Sequence, residues 1–192
     1  WEAYHAERRD LYELILAGED EAAGERLRSF WRNELGALVK EYASYEQLRR
    51  REQPRTDRFR WMVPRNYLVW REIVRADPAE LAVPDVGEPW GLMLDDVLVT
   101  PKATRFHALA RQVAEIVRDA RPTPTVIEIG AGFGGMATYL LRDAPAVRWI
   151  DLDLPETLVI AAYWLIAALP EVDVVLHGER PAAELLDADG PA

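Results

Sequence analysis

The chain has no cysteine, and only two lysines and three histidines among its 192 residues. The missing thiols exclude structural disulfides, thiolate metal sites and a cysteine nucleophile. His5, His107 and His177 show no spacing with Asp or Glu that reads as a metal site, and each reads as structural or exposed rather than catalytic. A long apolar run is missing too. The longest, "LVIAAYWLIAAL" (Leu158 to Leu169), is too short to span a bilayer and reads as a buried helix. No membrane partner is expected, and a cytoplasmic location is.

Positive charge is carried almost entirely by 21 arginines, which with abundant Ala is a composition common in high-GC bacteria. The net charge is −10, and from Arg121 onward 4 Arg face 11 acids. So acidic a region matches a phosphate backbone poorly, which favours a small-molecule ligand over nucleic acid. The Arg-rich patch "LRRREQPRTDRFR" (Leu48 to Arg60) reads as a solvated helix end and linker. With 49% apolar residues, seven Trp and seven Tyr, the chain has ample material for one core.

Residues 1–89 read as an N-terminal helical region. "AERRDLYELILAG" places Leu11, Leu14 and Ile15 on one face, and a second helix is expected from Glu21 to Arg51, with Leu27, Phe30, Trp31, Leu35, Leu38, Val39 and Tyr42 at steps of three and four. Pro54 marks a linker before a short helix from Arg65 to Asp77, and Pro78 to Gly91 should be irregular. Residues 90–192 begin with a hairpin, "WGLMLDDVLVTP", turning at Asp95 and Asp96. Thr100 and Pro101 are expected to open a helix that Pro122 and Pro124 end.

From Thr125 the pattern becomes strand and helix in alternation: "TVIEI", a glycine turn, "MATYLLRD", "AVRWIDLD", "PETLVIAAYWLIAAL" and "VDVVLHGE". Three strands joined by two helices imply an α/β fold with a parallel, Rossmann-like sheet. Ligands bind such sheets at the carboxyl ends of the strands, first of all at the first turn. Gly130, Gly132 and Gly135 match the pattern G-x-G-x-x-G, shared by dinucleotide-binding folds and weak by itself.

The acids narrow the choice. In a dinucleotide fold the residue two before the first glycine is normally apolar, because the pyrophosphate is negative; here it is Glu128. A carboxylate there suits a ligand carrying a cation, such as the amino group of a methionine moiety. Asp153, 18 residues beyond Gly135, stands where a carboxylate can accept from ribose hydroxyls, and Glu179 where an acid can reach adenine. Asp151 ranks below them.

These features resemble the class I methyltransferases that use S-adenosylmethionine. More narrowly, "IEIGAGFGGMATYLL" followed by "IDLDLPETLVIAAYWL" looks like a bacterial sugar O-methyltransferase family in which a motif EIGAGYGG precedes DLPE. Phe133 replaces the more usual Tyr, and "LDDVLVTPKATRF" is similar to that family's preceding segment. The resemblance covers about Trp90 to Glu179. It implies methyl transfer to a hydroxyl of a sugar or glycosylated small molecule, with Glu128 at the methionine amino group, Gly130, Ala131, Gly132, Phe133 and Gly134 lining the cofactor, Asp153 at the ribose and Glu179 at the adenine. Arg105 is a further candidate for the cofactor carboxylate.

Such sheets usually have seven strands, whereas three are readable here, and the chain begins at Trp1 without Met. The remaining strands, the general base and much of the acceptor pocket are expected beyond residue 192. Metal dependence stays open. Two other readings compete: a NAD(P)- or FAD-dependent oxidoreductase, favoured by the glycine pattern and disfavoured by Glu128, and a non-catalytic methyltransferase-like assembly domain. The amphipathic N-terminal helices suit that assembly role, and equally a homodimer of an active enzyme.

Overall fold

The computed structural model describes residues 2–38, 45–51, 55–119, 123–181 and 184. Val39, Tyr42, Pro54, Pro122 and the tail "DADGPA" lie outside the described residues. Seven α-helices and two small sheets are present among the described residues: α1 (Glu2–Leu16), α2 (Asp20–Arg28), α3 (Tyr45–Arg49), α4 (Arg55–Val74), the strands β1 (Leu92–Leu94) and β2 (Val97–Val99), α5 (Ala103–Val117), β3 (Thr125–Ile129), α6 (Gly135–Asp143), β4 (Arg148–Leu152) and α7 (Pro155–Ala168). The chain is thus α/β.

The expected helix from Glu21 to Arg51 is broken. α2 ends at Arg28, and a separate 3-10 turn spans Glu34–Leu38. The break lets the adjacent Phe30 and Trp31 both turn inward, to 0% and 2% exposure. Polar groups close it: the Trp31 N–H donates to the Gly87 carbonyl (3.1 Å), Asn33 Oδ1 accepts from the Leu35 N–H (2.9 Å), and the Asn33 amide donates to the Arg26 carbonyl (2.7 Å). Helix continuity yields to aromatic burial.

α4 starts at Arg55, ten residues before the expected Arg65, and runs through Pro64. An interior proline costs about 3 kcal/mol. Phe59, Val63, Tyr67 and Trp70 bury one face of this helix, at about 1.5–3 kcal/mol each, which outweighs that cost. The second half of the Arg-rich patch is therefore helix, with Arg58 and Arg60 exposed.

The hairpin forms as expected, with Leu92 opposite Val99 and Leu94 opposite Val97. Asp95 and Asp96 take φ of 47° and 62°, the two left-handed positions of a tight two-residue turn. Asp95 also accepts from the Tyr67 hydroxyl and pairs with Arg71, which ties the turn to α4. Thr100 caps no helix. It is buried, its carbonyl accepts the Ala103 N–H at 3.2 Å, and α5 starts two residues later than expected.

β3 and β4 pair in parallel, Glu128 beside Asp151 and Ile129 beside Leu152, with α6 as the connection. The expected third strand is absent among the described residues: "VDVVLHGE" makes a single bridge, His177 to Arg180. Its polar groups are committed locally instead. Arg180 pairs with Asp173 at 2.8 Å, and the Leu176 N–H donates to Glu179 Oε2 at 2.7 Å, so the segment folds onto itself. One face of the pair packs Val126 and Trp149 onto the core; on the other, Ile127 is 54% exposed, Ile129 84% and Leu152 50%. A parallel sheet is normally covered on both faces, and the described residues cover one.

A single core joins the N-terminal helices to the α/β unit, with α1 against α7 and α5 against α6. Phe133, in the glycine loop, is the link: its ring lies 6.1 Å from Phe30, 5.2 Å from Trp31, 5.8 Å from Phe106 and 5.5 Å from Trp164. The stripe Leu27, Phe30, Trp31 and Leu35 is buried within the chain, so it offers no face to a second copy. Phe133→Ala should remove about 3–5 kcal/mol of stability in urea denaturation. A loss below about 1 kcal/mol would show that this ring does not join the two regions.

Candidate ligand-binding site

The turn after β3 is built by backbone conformation. Gly130 and Gly132 have φ of +79° and +65°, which L side chains rarely adopt, and a Cβ on either would meet nothing within 4 Å. Glycine is therefore required here by geometry rather than by crowding, and the space beside the turn is open. The Gly130 N–H extends the sheet by donating to the Leu152 carbonyl at 2.8 Å. Gly134, at φ +80°, stands just before α6 without a side-chain cap, so the positive end of that helix begins at the loop. A rigid chain holds that end: Trp164 Nε1 donates to the Thr138 hydroxyl, which donates to the Gly134 carbonyl at 2.8 Å.

Three acids gather at the carboxyl ends of the two strands. Glu128 and Asp151 are paired residues of the parallel register and share one face. Burial, followed by the charges of Asp151 and Asp153, pushes the Glu128 carboxyl up from 4.5 to about 7. Its Oε2 is buried and has no hydrogen-bond partner. Burial also raises Asp151, opposed by the indole N–H of Trp149 on its Oδ1. Asp153 is committed to the backbone on both oxygens, accepting from the Gly132 N–H at 2.8 Å and the Leu154 N–H at 2.7 Å. It brackets the glycine loop to the start of α7. A carboxylate offers about four lone-pair positions, so about two remain for a ligand.

The predicted residues do not all converge. Glu128, Gly130, Gly132, Gly134 and Asp153 meet at one turn. Ala131 is buried beneath it. Phe133 lies in the same loop, but it is 3% exposed and its ring points into the aromatic core, so it offers a ligand no surface. Glu179 sits in an exposed turn with its carboxylate on the Leu176 N–H, and Arg105 is exposed on α5. Asp151 belongs to the site more closely than its sequence rank suggested. Its alternation with Asp153, opposite Glu128, was the available signal.

A second polar cluster escaped sequence reasoning because its members lie far apart in the chain. Glu80, His107 and Asp143 bring one ligand atom each within 4.8 Å of one another. The set fits a metal poorly. Trp70 Nε1 can only donate, and it donates to His107 Nδ1 at 3.1 Å, so the neutral ring carries its proton on Nε2, toward Glu80 Oε2 at 3.3 Å. The nitrogen nearest the acids then has no lone pair, and Asp143 is held by Arg142 at 2.7 Å. Burial lowers the His107 pKa, which keeps the ring neutral and the bridge structural.

Comparison with protein-family models, with curated proteins and with solved structures finds no match to this chain. No helix among the described residues is long and apolar enough to cross a membrane.

Because the Glu128 carboxyl titrates near 7 in the fold and near 4.5 when exposed, the folded protein holds this proton more tightly. Stability should fall as pH rises from about 4.5 through about 7. Glu128→Gln should flatten that slope and gain on the order of 2 kcal/mol at pH 8, read by urea denaturation across pH. An unchanged slope would mean that Glu128 is not held in a costly charged state.

Proposed function

We propose that this chain carries the cofactor half of an S-adenosylmethionine-dependent O-methyltransferase, with a hydroxyl of a sugar or glycosylated small molecule as acceptor. The observation that carries the reading is Glu128, a half-buried carboxylate with a buried, unpartnered oxygen two residues before the glycine turn, beside two further acids. Such a site repels a pyrophosphate and takes a cation. That argues against a dinucleotide. The acceptor class rests on the resemblance of "EIGAGFGG" and "DLPE" to the sugar O-methyltransferases.

The residues present fit the cofactor at its amino acid and ribose ends. Glu128 would meet the ammonium group, the accessible backbone at Gly130 and Gly132 would lie along the cofactor, and Asp153 would receive the ribose hydroxyls on its remaining lone pairs. Glu179 would need to leave its turn to reach adenine. Bound there, S-adenosylmethionine supplies an electrophilic methyl group for the acceptor oxygen. This chain's part is positional: orienting that group for in-line attack contributes up to about 7–11 kcal/mol in model systems. The general base that a sugar hydroxyl requires is not assigned to any residue here.

Calorimetric titration of the full-length protein with S-adenosylhomocysteine and with NAD tests the reading. S-adenosylhomocysteine should bind and NAD should not, and Glu128→Gln should weaken the former by roughly tenfold or more. Binding of NAD alone would replace this proposal with the oxidoreductase. Binding of neither would leave the non-catalytic assembly role.

A further inference from the structure

His107 of α5 is wholly buried, and its two ring nitrogens face partners of opposite preference. At Nδ1 the ring accepts from the Trp70 indole of α4 at 3.1 Å; at Nε2 it meets Glu80 Oε2 at 3.3 Å. An indole N–H only donates, so the bond to Trp70 exists only while Nδ1 keeps its lone pair. Glu80 differs. A carboxylate accepts from Nε2–H in either state of the ring, and more strongly from an imidazolium.

Four elements surround the ring. The 3-10 turn Pro78–Leu81 contributes Glu80, itself bonded to Arg111 of α5 at 3.2 Å and to the Asp77 N–H at 3.2 Å. α6 contributes the Tyr139 ring, 5.4 Å away, and the ion pair of Arg142 with Asp143 at 2.7 Å. α4 presents the Trp70 ring and turns its Arg71 to Asp95. Burial lowers the His107 pKa from 6.5, against the pull of Glu80, so the ring is neutral at neutral pH and charges in acid. Stability supplied by the neutral ring is then complete above about 6.5 and is lost as pH falls through the lower folded value.

We propose that His107 is an acid-sensitive latch: a proton on Nδ1 sets two donors face to face, breaks the bond to Trp70 and frees α4 from α5, while the bond to Glu80 persists. The indole of Trp70, 3% exposed, is then a buried donor without an acceptor, and the seam opens to admit water. Tyr139 passes the change on. Its ring packs on His107, its hydroxyl donates to the Leu81 carbonyl at 2.9 Å, and its helix α6 begins at the glycine loop. The latch therefore bears on the helix behind the candidate site, whichever ligand that site takes.

Global unfolding across pH would mix this effect with that of Glu128, which has the opposite sign, so the test is residue-specific. Proton–nitrogen NMR of the full-length protein, titrated from about pH 8 to about pH 4, follows the His107 ring and the Trp70 indole together. The ring should begin as the Nε2–H tautomer and protonate below 6.5. The Trp70 indole signal should be lost to exchange at that same midpoint, while those of Trp90 and Trp164, bonded to the Trp31 carbonyl and the Thr138 hydroxyl, persist. His107→Gln offers the indole an amide oxygen that does not titrate, and should hold the Trp70 signal through the same range. The wild-type titration decides even where that variant does not fold. A ring that protonates at 6.5 or above or stays neutral throughout, a Trp70 signal that outlasts His107 protonation, loss of all three indole signals at once, or loss of the Trp70 signal in folded His107→Gln at the wild-type midpoint would each overturn the proposal.

Discussion

The burial of the Glu128 carboxylate without a positive partner is the constraint around which the α/β unit is arranged. A buried charge beside two further acids is unfavourable, and the fold meets that cost by raising the Glu128 carboxyl to about 7, so that the group sits between its two protonation states near neutrality. Asp153 fixes the turn through the Gly132 N–H, so the acid nearest the loop holds the backbone that bares the site.

The second structural dependence runs through Phe133. It belongs to the glycine loop by position and to the N-terminal core by packing, where Phe30, Trp31, Phe106 and Trp164 surround it. The N-terminal helices therefore support the loop from below. Their inward commitment places the stripe of Phe30 and Trp31 in the same core as the inner side of α4.

The parts of the fold legible in the sequence were those decided locally. β3, β4, the hairpin at Asp95 and Asp96, and α7 behind Pro155 follow from β-branched runs, turn residues and an N-terminal proline. The errors came where distant residues decide. Nothing local to residues 28–33 signals a break, which Gly87 and the aromatic core impose. α4 runs through Pro64 because its buried face outweighs the proline. "VDVVLHGE" has strand composition, but Asp173 and Arg180 close it on itself. At the site, Glu128 and Asp153 were legible from spacing to the glycines, whereas the inward turn of Phe133 and the Glu80, His107 and Asp143 cluster depend on tertiary packing.

The central claim is that Glu128 waits, partly protonated, for a cation. Calorimetry of S-adenosylhomocysteine binding at pH 6.5, repeated in buffers of different ionisation enthalpy, measures the protons exchanged on binding. An ammonium group docking on Glu128 favours the carboxylate, so the account predicts net proton release that fades as pH rises beyond about 8. Binding with no proton exchange, or with uptake, would contradict it.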